Sequence, residues 1–259
     1  MRYSKRHAEI LRIVREEGTC AIADLANRLG VSQETIRRDV KPLAVEGQIL
    51  KMHGAVTLPF QVGEAPFERR LRENAGAKKA IAMQAAHHIG DGDSVMLDTG
   101  TTTSLLAREL LKKRNLTVVT NSSDIARTLA TVNGNTVYMA GGELRGDNGA
   151  AFGPSAIEFV ERFKVRHAII SIGAIDVEVG PMDYNLAEAE FARRVLERGE
   201  RATIVTDRTK FGRSGLVKVC SLADVDLMVT DAMPPPDLTE ALQEAGVTIE
   251  VAPPIQAVA

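Results

Sequence analysis

The sequence predicts a mainly parallel α/β body carrying a small helical head at its N-terminus. Three observations predict it. Apolar residues recur at helical spacing in three short runs before residue 46, and strand and helix patterns alternate from about residue 94 onward. Between them, residues 57–66, TLPFQVGEAP, hold two prolines and a glycine, the composition of a linker.

In the head, Ile10, Ile13 and Val14 place one face of a helix over 5–17, and Gly18 follows as a stop. A second helix fits Ile22–Leu29, with Leu25, Ala26 and Leu29 on one side, and Gly30 permits a sharp turn. Ser32 suits the N-cap of a third helix running from Gln33 to about Glu46, with Ile36, Val40 and Leu43 inward. Gly47 ends it, and Gln48–Val56 reads as a short hairpin containing His53-Gly54. Three helices and a hairpin in so short a span is the winged helix-turn-helix plan.

After the linker, an Ala-, Lys- and Arg-rich helix is expected over roughly 67–89. Strands follow near 94–98, 116–120, 135–140, 166–172, 201–206, 225–229 and 247–251. Helices are expected over 103–113, 123–131, 154–163, 186–198 and 237–245. Strands that alternate with helices imply a mainly parallel sheet covered on both faces. The expected boundaries are 1–57 for the head, 58–74 for linker and connecting helix, and 75–259 for the body.

Composition narrows the function. With 259 residues, 44% hydrophobic and 25% charged, this is an ordinary soluble composition. No apolar run approaches the ~20 residues that span a bilayer, and the N-terminus does not resemble a signal peptide, so a cytoplasmic protein without membrane contact is expected. Cys20 and Cys220 stand far apart without metal spacing, and His87-His88 has no third ligand at helical spacing, so neither disulfide, metal nor other cofactor is expected. The net charge is −2, yet residues 1–57 hold ten Lys and Arg against seven Asp and Glu. A basic head on an acidic body suits DNA contact by one end.

On the third helix, Glu34, Arg38 and Lys41 lie opposite the apolar face, with Thr35 and Arg37 flanking it. The N-terminal part of such a helix enters the major groove, so Ser32, Gln33, Thr35, Arg37, Arg38 and Lys41 are the candidate DNA contacts, joined by Lys51 and His53 of the hairpin. In the body, Asp98-Thr99-Gly100-Thr101-Thr102-Thr103 forms a strand-to-helix turn able to offer N–H and hydroxyl donors to an anion. It has neither Walker nor dinucleotide spacing. Further polar groups fall at predicted strand ends, where open α/β sheets bind ligands: Asn121, Ser122, Gly141, Gly142, Glu143, Asp176 and Lys210.

The stretch LANRLGVSQETIRRDVKPLAVEGQILKMHGA (25–55) resembles the DeoR family of bacterial sugar-metabolism regulators, whose pattern centres on VSxxTIRRDL and an HGGA wing. Two departures stand out: the wing has one glycine fewer, and Pro42 lies inside the third helix, where a proline costs roughly 3 kcal/mol unless the helix bends. LDTGTTT (97–103), VVTNS (118–122), AGGELR (140–145), FGPSA (152–156), SIGAID (171–176) and TDRTKFGRSGLV (206–217) resemble that family's effector domain. The resemblance implies a body related to ribose-5-phosphate isomerase and a repressor released by a phosphorylated sugar or polyol. By it, the Asp98–Thr103 loop and Lys210 hold the phosphate, while Asp176, Asp183 and Glu188 face the polyol. Segments 140–153, 182–184 and 229–236 look most like members responding to glycerol 3-phosphate. The resemblance also implies operator DNA as partner and a homodimer or homotetramer. A sugar-phosphate isomerase with a DNA-binding head, and an activator, are the competing readings; the first is disfavoured because fold does not imply function.

Overall fold

The computed structural model describes residues 5–17, 19–46, 48–52, 54–57 and 64–255. Gly18, Gly47, His53 and linker residues 58–63, all named in the sequence reading, lie outside the described residues. The chain divides into two compact units, Met1–Arg69 and Arg70–Ala259.

The first unit holds α1 (Lys5–Glu17), β1 (Thr19–Ala21), α2 (Ile22–Leu29), α3 (Gln33–Val45), β2 (Leu50–Met52) and β3 (Ala55–Thr57). The expected inward residues do meet: Ile10, Ile13, Val14, Leu25, Ile36, Val40 and Leu43 share one core. Gly30 takes a left-handed φ of 62°, and the Val31 N–H returns to the Ala26 carbonyl at 3.0 Å, turning the chain from α2 into α3. The Ser32 hydroxyl accepts the Thr35 N–H at 3.2 Å, the expected cap. Helix α3 runs on through Pro42. Strand β1 was not expected; it pairs antiparallel with β3, opposing buried Cys20 to Val56, and makes the wing three-stranded in the order β1-β3-β2.

The expected helix over 67–89 is two helices, α4 (Phe67–Arg72) and α5 (Ala75–Ala86). Asn74 breaks the run with φ 54°, a conformation asparagine tolerates better than most residues, and its amide reaches Asp207 at 3.4 Å.

The second unit continues β4 (Ser94–Leu97), α6 (Thr101–Glu109), β5 (Thr117–Thr120), α7 (Ser123–Leu129), β6 (Thr136–Met139), α8 (Pro154–Val160) and β7 (Val165–Ile170). Then come β8 (Ala174–Asp176), β9 (Gly180–Asp183), α9 (Leu186–Glu197), β10 (Gly199–Val205), β11 (Val217–Lys218), β12 (Leu227–Thr230), α10 (Pro236–Glu244) and β13 (Thr248–Val251). Seven strands form one sheet in the order β13-β12-β10-β7-β4-β5-β6, and every pair in it is parallel. Alternation splits neighbours between faces. Ile170, Ile204 and Met228 pack with Phe191, Val195 and Leu242 on one side. Ile169, Val205 and Val229 pack with Ile81, Leu106 and Leu110 on the other. A second, antiparallel sheet, β11-β9-β8, was not foreseen. Among the described residues no helix is long and apolar enough to cross a membrane.

Candidate DNA interface and effector site

The first turn of α3 carries the candidate DNA face. Ser32, Gln33, Arg37, Arg38 and Lys41 are exposed, Thr35 is half-buried, and Lys51 is exposed on β2. Arg37 donates to Glu34 at 3.4 Å and to Gln33 at 3.3 Å, so its guanidinium lies along its own helix. Arg38 makes no hydrogen bond or ion pair with a described residue. Asp39, which the sequence reading passed over, is 7% exposed and paired with Arg6, with His7 Nε2 3.8 Å away. That inward carboxylate ties α3 to α1 and fixes which face of the helix points out.

In the second unit, sheet order decides where a ligand fits. Going from β4 the chain adds β5 and β6 on one side, then crosses to place β7 on the other. The crevice at such a reversal, outside the carboxyl ends of the strands, is the usual ligand position in open α/β sheets. Here the reversal falls between β4 and β7, whose following turns meet at Gly100 and Ser171. Gly100 is required at the first turn: a Cβ on it would lie 1.9 Å from Ser171 Oγ. Among the described residues no side chain caps α6, so the first-turn N–H groups of Thr101, Thr102 and Thr103 are of the kind that can meet an anion. Thr103 Oγ1 donates to the Asp98 and Gly100 carbonyls at 3.0 and 3.1 Å, and Thr99 Oγ1 is buried without a partner among the described residues.

Asp98 is buried, and both its oxygens take the Ser171 N–H at 3.2 Å. Burial pushes its carboxyl well above the usual range; the Ser171 N–H opposes this, while Asp183 and Glu188 add to it. Asp183 and Glu188 therefore lie within electrostatic reach of Asp98. Glu188 meets Arg145 at 2.8 Å, and the same guanidinium reaches Asn185 at 2.9 Å and lies over the Phe152 ring at 4.4 Å. Arg145 is the principal residue of this edge missing from the expected site set. Nothing local in the sequence marks its pairing with Glu188.

The other expected residues are distributed unevenly. Asn121 is buried, donates to the Ala151 carbonyl at 2.9 Å and leaves its Oδ1 without a described partner. Ser122 caps α7 through the Ile125 N–H at 3.4 Å. Gly141, Gly142 and Glu143 sit exposed after β6. Asp183 is buried at the end of β9 and accepts the Tyr184 N–H at 2.6 Å. Asp176 spends one oxygen on the Glu178 and Val179 N–H groups, at 2.9 and 3.0 Å, closing the β8–β9 turn. Lys210 ends a 3-10 turn after β10, half-buried, and the next residue, Phe211, bridges Ile175 of β8. Away from this edge, an open cavity of about 500 Å³ lies where strands begin, around Gly199 and Asp226. Its Arg193 and Asp226 are committed to backbone partners. Both cysteines are buried, which pushes each thiol up to about 12.

A helix-turn-helix head followed by a parallel-sheet domain with polar residues gathered at its switch point defines a class, the two-part transcription regulator. A DeoR-like helix-turn-helix domain profile matches residues 6–62, and a DeoR C terminal sensor domain profile matches 73–232. The chain belongs to the DeoR family. It is 32% identical to the glycerol-3-phosphate regulon repressor of Escherichia coli (strain K12) over 251 residues, 97% of this chain and 100% of that one. It is 34% identical to the HTH-type transcriptional repressor CsqR of the same strain, covering 94% of each chain. The transcriptional repressor AccR of Agrobacterium fabrum is 34% identical, over 88% of this chain and 89% of its own. Likeness to solved structures is remote: ribose 5-phosphate isomerase A from Methanocaldococcus jannaschii gives a TM-score of 0.39 at 14% identity, covering 53% of this chain and 55% of that one.

Proposed function

We propose that this protein is a cytoplasmic repressor of a carbohydrate- or polyol-catabolic operon, released from its operator by a phosphorylated effector, with glycerol 3-phosphate or a close polyol phosphate as that effector. The observation that carries the reading is similarity across head and body together to a glycerol-3-phosphate regulon repressor. The head, residues 1–57, meets DNA through Ser32, Gln33, Thr35, Arg37, Arg38, Lys41 and Lys51, with His53 at the wing. The effector domain, residues 75–259, takes the phosphate on the Asp98–Thr103 turn and Lys210, with Asn121, Ser122 and Gly141–Glu143 around it. Asp183, Glu188 and Asp176 meet the polyol hydroxyls.

The chemistry supports this division. A helix N-terminus and a Thr99 hydroxyl, both without a side-chain partner among the described residues, suit a phosphate oxygen. Burial favours the neutral form of Asp98, which lowers the repulsion a phosphate meets there. The protein regulates rather than catalyses, and acts as a homodimer or homotetramer, whose paired heads read a repeated operator. Effector and operator are linked through a coupling free energy, typically about 1–3 kcal/mol.

The test is a binding titration on the DNA beside the protein's own gene, with and without glycerol 3-phosphate. Tight binding relieved by the ester is expected. Binding that ignores it moves the effector to another sugar or polyol phosphate. Binding no tighter than to random DNA overturns the repressor.

A further inference from the structure

We propose that Glu34 is a base-reading residue of α3, accepting a hydrogen bond from the amino group of a cytosine in the operator's major groove. The inference rests on the reading of the head as an operator-binding domain and names a specificity determinant within it.

Helix α3 carries two carboxylates among the residues discussed, and the structure treats them oppositely. Asp39 is turned inward and neutralised by Arg6. Glu34, in the first turn, points outward with its side chain 82% exposed, on the same face as Arg38 and Lys41. An outward carboxylate on a surface that approaches phosphates is repelled by every DNA sequence alike, because the backbone is uniformly negative. Arg37 beside it offsets part of that charge, and at the DNA surface a hydrogen-bond donor of the bases offsets the rest. In the major groove the donors are the amino groups of cytosine and adenine, and a carboxylate accepts from cytosine N4, whereas adenine is matched by Asn or Gln, which both donate and accept.

Arg37 completes the arrangement. It sits one turn on, 3.4 Å from Glu34 Oε2 and 3.3 Å from Gln33 Oε1, with its side chain 55% exposed. The pair thus presents an acceptor and a donor fork side by side at the entering end of the helix. That pattern matches a cytosine amino group beside a guanine O6 and N7. Arg38, with no partner among the described residues, is left to the phosphates. A carboxylate in this position also lowers affinity for all other sites, so it sharpens discrimination from both directions.

The experiment selects binding sites from a pool of random-sequence duplexes with the full-length protein, wild type, E34A and E34Q, and compares base preference position by position. Because Glu34 is exposed, both variants are expected to fold, and their melting curves verify this. Wild type is expected to favour cytosine at one position per half-site by about 5- to 150-fold, the span of a good direct base contact. E34A is expected to lose that preference while the other positions keep theirs, and to bind random duplex more tightly than wild type. E34Q is expected to shift the same position toward adenine. Unchanged preferences in both variants overturn the inference and leave operator binding intact. Wild type that enriches no sequence overturns both.

Discussion

Gly100→Ala tests whether the β4–α6 turn is packed against the end of β7. The backbone there is extended, with φ −172°, so alanine meets no conformational penalty. The obstacle is space. A Cβ would lie 1.9 Å from Ser171 Oγ, 3.0 Å from Ser171 Cβ and 3.2 Å from Thr103 Oγ1. Unstrained carbon contacts fall at about 3.5–4.0 Å. Rotating the Ser171 hydroxyl away relieves the first clash and leaves the second, so the turn and β7 have to separate. Overpacking of this kind costs about 1–3 kcal/mol. For a unit of this size that lowers the melting temperature by about 2–12 °C. Calorimetry on the full chain measures it, and Ser171→Ala in both backgrounds makes a double-mutant cycle. Because S171A removes the closest atom, the double variant is expected to regain at least about 0.5 kcal/mol relative to additivity. If the turn holds the phosphate as proposed, operator release by glycerol 3-phosphate is expected to need more ester in G100A. If G100A melts within a degree of wild type and the substitutions add, the two turns do not pack as described.

Two further outcomes follow from the cap and from the buried acid. Ser32→Ala removes the acceptor of the Thr35 N–H and is expected to cost α3 about 1 kcal/mol, whereas S32G costs a few tenths; first-turn amides of α3 should exchange about fivefold faster in S32A, and equal exchange in both variants would dismiss the cap. Asp98, whose carboxyl is raised by burial, holds its proton more tightly folded than unfolded. Its contribution to stability is therefore complete below the ordinary carboxylate value of about 4 and is lost as pH rises through the raised folded value. Urea unfolding from acid to neutral pH is expected to show this decline in wild type and not in D98N, and parallel slopes would contradict the assignment.

The head was legible because each helix is punctuated. Gly30 and Ser32 mark a turn and a cap, and Ile36, Val40 and Leu43 fix the inner face at one period. Strand β1 was not, since Thr19–Ala21 is too short to show any alternation and is defined only by its pairing with β3. The break at Asn74 hid inside an Ala- and Lys-rich run whose propensity favours continuous helix. The small sheet hid for the opposite reason: Gly180, Pro181 and Asp183 are poor strand formers, and their pairing is decided by neighbours far along the chain.

The site divides in the same way. Turns after β4 and β5 advertised themselves through glycine, hydroxyl and amide side chains at strand ends. Ser171 gave no signal, because its contribution to Asp98 is a backbone N–H. Arg145 ends the AGGELR stretch, but its pairing gave no signal: its partners Glu188 and Asn185 are about forty residues away, and only the fold joins them. Asp176 shows how a polar residue at a strand end can serve its own turn, a role that residue type alone does not separate from ligand contact.

The interior position of β4, between β7 and β5, also sets a timetable for synthesis. Its partner β5 follows it closely, but its other partner, β7, begins only at Val165. At roughly 5–20 residues per second, several seconds pass on the ribosome before β7 is made. During that interval one edge of Val95, Met96 and Leu97, fully buried in the finished sheet, has no strand to pair with. An apolar edge left open in this way is a template for pairing with another chain. The same crossover that sets β7 beside β4 thus leaves the half-made sheet of β4, β5 and β6 with an open apolar edge on crowded polysomes, a stage at which a holding chaperone has something to protect.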